Sequence, residues 1–249
     1  MILDSPVWIL KLGGSILTFK EKEDSPNLDV IRRLGDELRG FRGLLVLGVG
    51  SFGHQRAIRY RLWEGVDGRQ WEWTDVRRSV ERLASMVIDS LLDARVPALT
   101  LSLPALWRAG EMDFSPVQGL IDLGLVPVLH GDGFPDPKKG LRVVSGDEIA
   151  ARAASALKGV EGVVFAVDVD GIYEGDPKKR EDADLIEEIS REELLAYAEA
   201  TGDFSGGMRG KARFIASIPK EIPVYVVNGL VPGRIRMALE GRPIGTKIY

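Results

Sequence analysis

Leu44-Leu45-Val46-Leu47-Gly48-Val49-Gly50-Ser51-Phe52-Gly53-His54 carries an uninterrupted apolar run straight into three glycines within six residues. Four consecutive aliphatic side chains predict a strand covered on both faces, as in a parallel sheet flanked by helices. Glycines at the strand's end predict a loop whose backbone comes close to something, because no Cβ stands in the way. Such a loop can aim amide N–H groups at an anion, and Ser51 and His54 add side-chain donors. The same residues also suit a tight strand-to-helix turn in which the histidine only caps or packs.

A second stretch of the same kind lies upstream. Val7-Trp8-Ile9-Leu10 reads as a buried strand and runs into Lys11-Leu12-Gly13-Gly14-Ser15. A lysine leaving a strand beside paired glycines is a phosphate-binding arrangement, with an ammonium and backbone amides on one side. Its spacing is not that of a Walker A loop, which places Lys after the last glycine. A glycine turn with a solvated lysine uses the same residues. Lys20 follows nine positions later in the charged loop from Phe19 to Pro26.

Four further runs predict strands: Pro97–Leu101, Leu125–Leu129, Gly162–Val167 and Val224–Val227. Helical patterns separate them. Asn27 caps one with Leu28, Ile31, Leu34, Leu38 and Phe41 on its apolar face, and Thr74 is placed to cap a longer one with Val76, Val80, Leu83, Val87 and Leu91. Ser145 with Glu148, and Ser190 with Glu193, have the spacing of capping boxes. Asp203 to Lys211 contains a second glycine pair, Gly206-Gly207, before another helix. Strands and helices alternating at this spacing imply a mostly parallel sheet with helices on both faces. Ligands of such sheets sit outside the carboxyl ends of the strands. That rule gathers Lys11, the Gly48–His54 loop and Gly131-Asp132 along one edge.

The 249 residues suffice for one large α/β domain or two small lobes. A net charge of −4 argues against broad nucleic-acid binding, which needs a basic face. The absence of cysteine excludes disulfides and thiolate chemistry, and two histidines, His54 and His130, do not make a histidine zinc site. No apolar run has the length of a membrane span. Asp4 and Lys11 interrupt the pattern of a secretory leader, so a cytoplasmic location is expected. Tyr60, Trp63, Trp71 and Trp73 suit the wall of an apolar cavity, a subunit contact or anchors packed on the core.

Taken in order, Lys11-Leu12-Gly13-Gly14-Ser15, Gly50-Ser51-Phe52-Gly53-His54, Ser145-Gly146-Asp147, Asp168-Val169-Asp170-Gly171-Ile172-Tyr173 and Gly206-Gly207-Met208-x-x-Lys211 resemble the amino acid kinase superfamily. The Ser-Phe-Gly-His run and the gap from Lys11 to Lys20 resemble its isopentenyl phosphate kinase branch. The resemblance covers essentially the whole chain, down to Gly245-Thr246. It implies a single α/β domain, an open αβα sandwich with an acceptor lobe (1–158) and an ATP lobe (159–249), Mg²⁺ dependence and a homodimer. It further implies that Lys11, Gly13, Gly14, Ser15 and Gly50 hold the ATP phosphates, and that Asp168, Tyr173, Gly207 and Lys211 complete the nucleotide site. Val49, His54 and Gly146 would contact the acceptor phosphate, Asp147 would hold the catalytic lysines, and Lys20 would join Lys11 and Lys211 among them. No side-chain metal ligand is implied. The chain departs from the family pattern at Leu47-Gly48-Val49, where histidine and consecutive glycines are usual, at Gln55, where proline is frequent, and at Phe204-Ser205, where Val-Thr is usual.

The chemistry so implied is transfer of the ATP γ-phosphoryl group to a phosphate monoester. A monoester's second pKa is about 6, so its attacking oxygen is already ionised and no strong general base is needed. Positioning and charge neutralisation are needed instead. Val80, Leu83, Met86 and Val87 offer a candidate slot for an isoprenoid tail, or a core-facing helix stripe. Two other functions fit the same residues: a kinase of this fold for another phosphate, phosphonate or carboxylate acceptor, and a non-catalytic nucleotide-binding or storage protein.

Overall fold

The computed structural model describes residues 6–108, 110–136, 138, 140–175, 183–201 and 208–249. Among them, eight strands form one sheet: Val7–Leu12 (β1), Gly43–Leu47 (β2), Ala98–Thr100 (β3), Val126–His130 (β4), Val160–Val167 (β5), Glu188–Ile189 (β6), Val224–Asn228 (β7) and Thr246–Ile248 (β8). Their order across the sheet is β6-β8-β7-β5-β1-β2-β4-β3. The strands from β7 to β3 run parallel. At the other edge β8 is antiparallel to β7 and carries β6 beside it. These last two strands were not anticipated from the sequence. They are two and three residues long, too short to display a period.

The helices longer than five residues are Leu28–Glu37 (α1), Gly50–Arg59 (α2), Gln70–Asp93 (α3), Ser115–Asp122 (α4), Gly146–Ala156 (α5), Arg191–Thr201 (α6), Met208–Ala216 (α7) and Arg234–Leu239 (α8), and a single helical turn, Gly14–Leu17, follows β1. Every residue of β1 is buried, and alternation along it separates two cores. Val7 and Ile9 pack with Val117 of α4, Ile149 of α5 and Ile215 of α7. Trp8, Leu10 and Leu12 pack with Leu34 of α1, Leu83 and Val87 of α3 and Ile235 of α8. The sheet is therefore the middle layer of an αβα sandwich, as expected. Lys11 shares its parity with Val7 and Ile9, so it leaves the sheet on the α5–α7 side.

Several local expectations are refined. Helix α3 starts at Gln70, four residues ahead of Thr74, whose hydroxyl instead donates to the Trp71 carbonyl at 2.8 Å. Leu28 is 44% exposed, whereas Ile31, Leu34 and Leu38 are buried. Asn27 caps α1 through Val30 N. The Ser190–Glu193 box is reciprocal: Ser190 N donates to Glu193 Oε2 at 2.9 Å and Glu193 N to Ser190 Oγ at 3.2 Å. At α5 only half of the box forms. Ser145 Oγ accepts from Glu148 N, but the Glu148 carboxylate turns to Arg142 and Arg152, whose charge outbids a neutral amide. No described helix is long and apolar enough to cross a membrane.

Candidate active site

The two glycine loops meet backbone to backbone at the carboxyl ends of β1 and β2. A Cβ on Gly14 would lie 2.4 Å from Gly50 N, and one on Gly48 would lie 2.4 Å from Gly14 N. Only glycine permits that approach. Gly50 has a left-handed backbone (φ +47°), and a Cβ there would strike the Thr18 hydroxyl at 2.2 Å. Thr18 Oγ1 stitches the loops together, donating to Gly14 O at 2.8 Å and accepting from Ser51 N at 2.9 Å. Gly13 N and Gly48 N continue the sheet onto Ala166 O and Leu12 O. Among the described residues no loop or turn bond uses the amides of Gly14, Ser15, Val49 and Gly50.

Ser51 does not supply the anion donor expected of it. Its side chain is buried against the next loop, where Oγ accepts from Ser25 N at 3.2 Å and donates to Ser25 O at 3.4 Å. Its role is to hold that loop.

Beside the glycine loops lies a compact charge cluster. Lys11 emerges from β1 and its Nζ is 2.8 Å from Asp147 Oδ1. Lys211, on the first turn of α7, reaches both Asp147 oxygens at 2.9 Å. Asp147 stands in the first turn of α5, where the helix dipole favours an anion. Gly146 lets that helix close on the sheet, since a Cβ there would lie 3.3 Å from Leu47 O and 3.5 Å from Lys11 Cε. Burial opposes ionisation of Asp147, but Lys11 and Lys211 more than reverse it and hold its carboxyl well below the usual range. Lys211 is pushed down to about 8 by burial and by the Lys11 ammonium, against the pull of Asp147. Its ammonium also lies 5.2 Å from the centroid of Phe165. Two ammoniums against one carboxylate leave a net positive centre.

A cavity of about 280 Å³ opens from this cluster. Lys11, Asp147, Gly146, Gly48, Val49 and His54 line its charged end. Trp63, Trp73, Val76, Val80, Ala57, Leu62, Val143 and Val144 make up most of the rest, together with Arg77, Asp132 and Ser145. His54 is an exposed residue of α2 whose ring borders the space. The expected slot residues are thus only partly right. Val80 lines the cavity, but Leu83 and Val87 are in the core and Met86 is 36% exposed on the outside. Trp73, Val76 and the hairpin residues Val143 and Val144 take their place. The hairpin, Asp132–Asp136 with Gly140–Val144, folds over the carboxyl edge, a position that a strand pattern alone does not reveal. Asp132 at its base is buried, which pushes its carboxyl up, and Arg77 lies 3.7 Å from it.

Asp168 and Tyr173 sit past the end of β5, on the opposite side of β1 from the cavity. Nearby, Asp170 accepts from Asn228 Nδ2 at 2.8 Å and pairs with Arg234. Lys20 is exposed on its loop and does not join the Lys11–Asp147–Lys211 cluster. Gly207, with Phe204 and Ser205, lies outside the described residues. Among the described residues no three His, Asp or Glu side chains gather to hold a metal ion.

The family model for the amino acid kinase family matches residues 6–228. An isopentenyl phosphate kinase of Methanothermobacter thermautotrophicus is 33% identical over 96% of this chain and 98% of its own length. One of Thermoplasma acidophilum is 34% identical over 96% and 99%. A solved isopentenyl phosphate kinase in complex with substrate superposes with a TM-score of 0.83 at 32% identity, covering 98% of this chain and 100% of that one.

Proposed function

The chain belongs to the amino acid kinase family, and from that premise we propose that it transfers the terminal phosphoryl group of ATP to isopentenyl phosphate, giving isopentenyl diphosphate. The observation that carries this reading is one continuous space lined by Lys11, Asp147 and His54 at one end and mostly by tryptophan, valine and other apolar side chains elsewhere. A phosphate monoester with a short branched hydrocarbon tail matches both ends. A carboxylate acceptor with its own polar groups would meet mainly tryptophan and valine there, with Arg77 and Asp132 already 3.7 Å from each other.

In this reading the ionised acceptor oxygen attacks the γ-phosphorus and the bond to the ADP oxygen breaks, with no proton to be removed. Lys11 and Lys211 neutralise the charge that gathers on the transferred group, both held and aimed by Asp147. Lys20 approaches from the rim once the phosphates are in place. The amides of Gly14, Ser15 and Gly50, with Gly13 and Gly207, cradle the ATP phosphates, and Asp168 and Tyr173 border the nucleotide. His54 grips the acceptor phosphate as a hydrogen-bond donor, with Val49 and Gly146 shaping its seat. The sheet order supports this division, since β2 and β4 underlie the acceptor side (1–158) and β5 and β7 the nucleotide side (159–249). Among the described residues no cluster of carboxylate and imidazole side chains offers a cage for Mg²⁺. Mg²⁺ would enter with the nucleotide and offset part of the charge on its phosphates. A cytoplasmic homodimer completes the reading.

Mass spectrometry after incubation with ATP, Mg²⁺ and a panel of monophosphates of increasing tail length tests it. Isopentenyl diphosphate formed with stoichiometric ADP supports the assignment. ATP binding without acceptor-dependent ADP release would instead make the chain a nucleotide-binding protein.

A further inference from the structure

The loop carrying Lys20 is fastened along its length to the helix carrying His54. Gln55 Nε2 donates to the Lys20 carbonyl at 2.6 Å. Arg56 forks onto Asp24, with Nη1 2.8 Å from Oδ1 and Nη2 2.9 Å from Oδ2. Ser51 of the same helix bonds both backbone polar groups of Ser25, and Asp24 N donates to Ser51 O at 3.4 Å. The loop also closes on itself, Phe19 N donating to Ser25 O at 2.9 Å.

Asp24 is the pivot of this attachment. Its backbone is left-handed (φ +53°), a conformation that aspartate adopts more readily than most side chains. Besides Arg56, its carboxylate accepts from Ser79 Oγ at 2.6 Å and Arg82 Nη2 at 2.9 Å, both on α3. Burial disfavours its charge, but Arg56 and Ser79 more than compensate and keep the carboxyl below its usual range. An isolated surface pair holds little in place. A bidentate fork with two further donors fixes geometry.

A lysine side chain is a long flexible stem, so the backbone that carries it limits where its ammonium can reach. We propose that Gln55 and Arg56 are positioning residues which, through the Lys20 carbonyl and Asp24, hold Lys20 in register with His54 for phosphoryl transfer. The proposal rests on the phosphotransfer reading above. It makes the His54 helix and the Lys20 loop a single aligned unit, with acceptor grip and rim cation set by the same element. The glutamine is the sharper probe. Its amide touches the Lys20 backbone from a half-buried position and contributes little to the core.

The test is a double-mutant cycle on the full chain with ATP and isopentenyl phosphate. Gln55→Ala and Arg56→Gln are each measured alone and combined with Lys20→Ala, with melting temperatures alongside. Each single variant is expected to lower kcat about 5- to 30-fold while the KM for ATP stays within about twofold, as displacement of a charge-stabilising group would do. In the Lys20→Ala background the same substitutions should change kcat by less than about twofold, because nothing is left to position. Arg56→Lys keeps the charge without the fork and should stay low. Losses that multiply regardless of residue 20, or a Lys20→Ala variant as active as wild type, would overturn the proposal. Should Arg56→Gln fail to fold, Gln55→Ala decides alone. A wild-type protein that does not phosphorylate isopentenyl phosphate sinks the underlying reading as well, whereas wild-type turnover with independent losses sinks the positioning role only.

Discussion

The two ends of the cavity are built on different physics. At one end Lys11, Asp147 and Lys211 hold each other at 2.8–2.9 Å, and the positions are dictated by charge. At the other, Trp73, Val76, Val80 and Val143 offer shape, beside the paired Arg77 and Asp132. The charged end is assembled before any substrate arrives, so it loses little to reorganisation during transfer. The apolar end acts through area removed from water, and its error tolerance is that of a contact surface. Substitutions at the first should therefore move turnover, and substitutions at the second should move KM and tail preference.

The sharpest way to break this contrast is to remove a charge. Lys11→Ala should lower kcat about a thousandfold with isopentenyl phosphate, read by coupled ADP release. If the loss appeared only in KM, the charged end would be a binding surface like the other. Asp147→Asn comes next. A neutral amide cannot hold two ammoniums together, so kcat should fall about a hundredfold. The cluster would also lose on the order of 3 kcal/mol of stability, measured by denaturant titration. His54→Ala lies at the junction and should raise the acceptor KM and lower turnover about tenfold in combination, with ATP affinity little changed. Collapse of ATP binding would move His54 to the nucleotide side. Trp73→Ala should leave kcat within about threefold, raise the KM for the C5 acceptor about tenfold, and improve the relative use of longer monophosphates.

The smallest effect concerns pH. Lys211 is pushed down to about 8, so its ammonium is lost as pH rises through that value. The useful charge is present below it, and kcat/KM for ATP should therefore decline above pH about 8. Lys211→Arg, which stays protonated, should flatten the alkaline limb while leaving the acid side unchanged. An unchanged limb would show that Lys211 does not carry the titration.

The central sheet was legible because β1, β2, β4, β5 and β7 are apolar runs closed by glycine or polar residues. Lys11, Gly50 and Asp147 stood out because their motifs occur in a family order, whereas Gly48 was read from the glycines that close β2. The reversed edge strands were not, since β8 takes its strand character from pairing with β7, and β6 from pairing with β8. The slot was misplaced for a related reason. Val76, Val80, Leu83 and Val87 form one apolar stripe on α3, and periodicity cannot say at which turn the core gives way to a cavity. That depends on the hairpin above it. Ser51 misled because a hydroxyl in a glycine loop can face an anion or a neighbouring backbone, and only the Ser25 contact decides between them.

The bare-backbone junction of Gly14, Gly48 and Gly50 also bears on the route by which the chain matures. Residues more than thirty positions apart can touch there only once β1 and β2 have locked edge to edge. Competence to receive a polyanion should then arise at the same moment as the middle of the sheet. Nucleotide added early to a refolding chain would have nothing to grasp, and should speed neither collapse nor strand pairing.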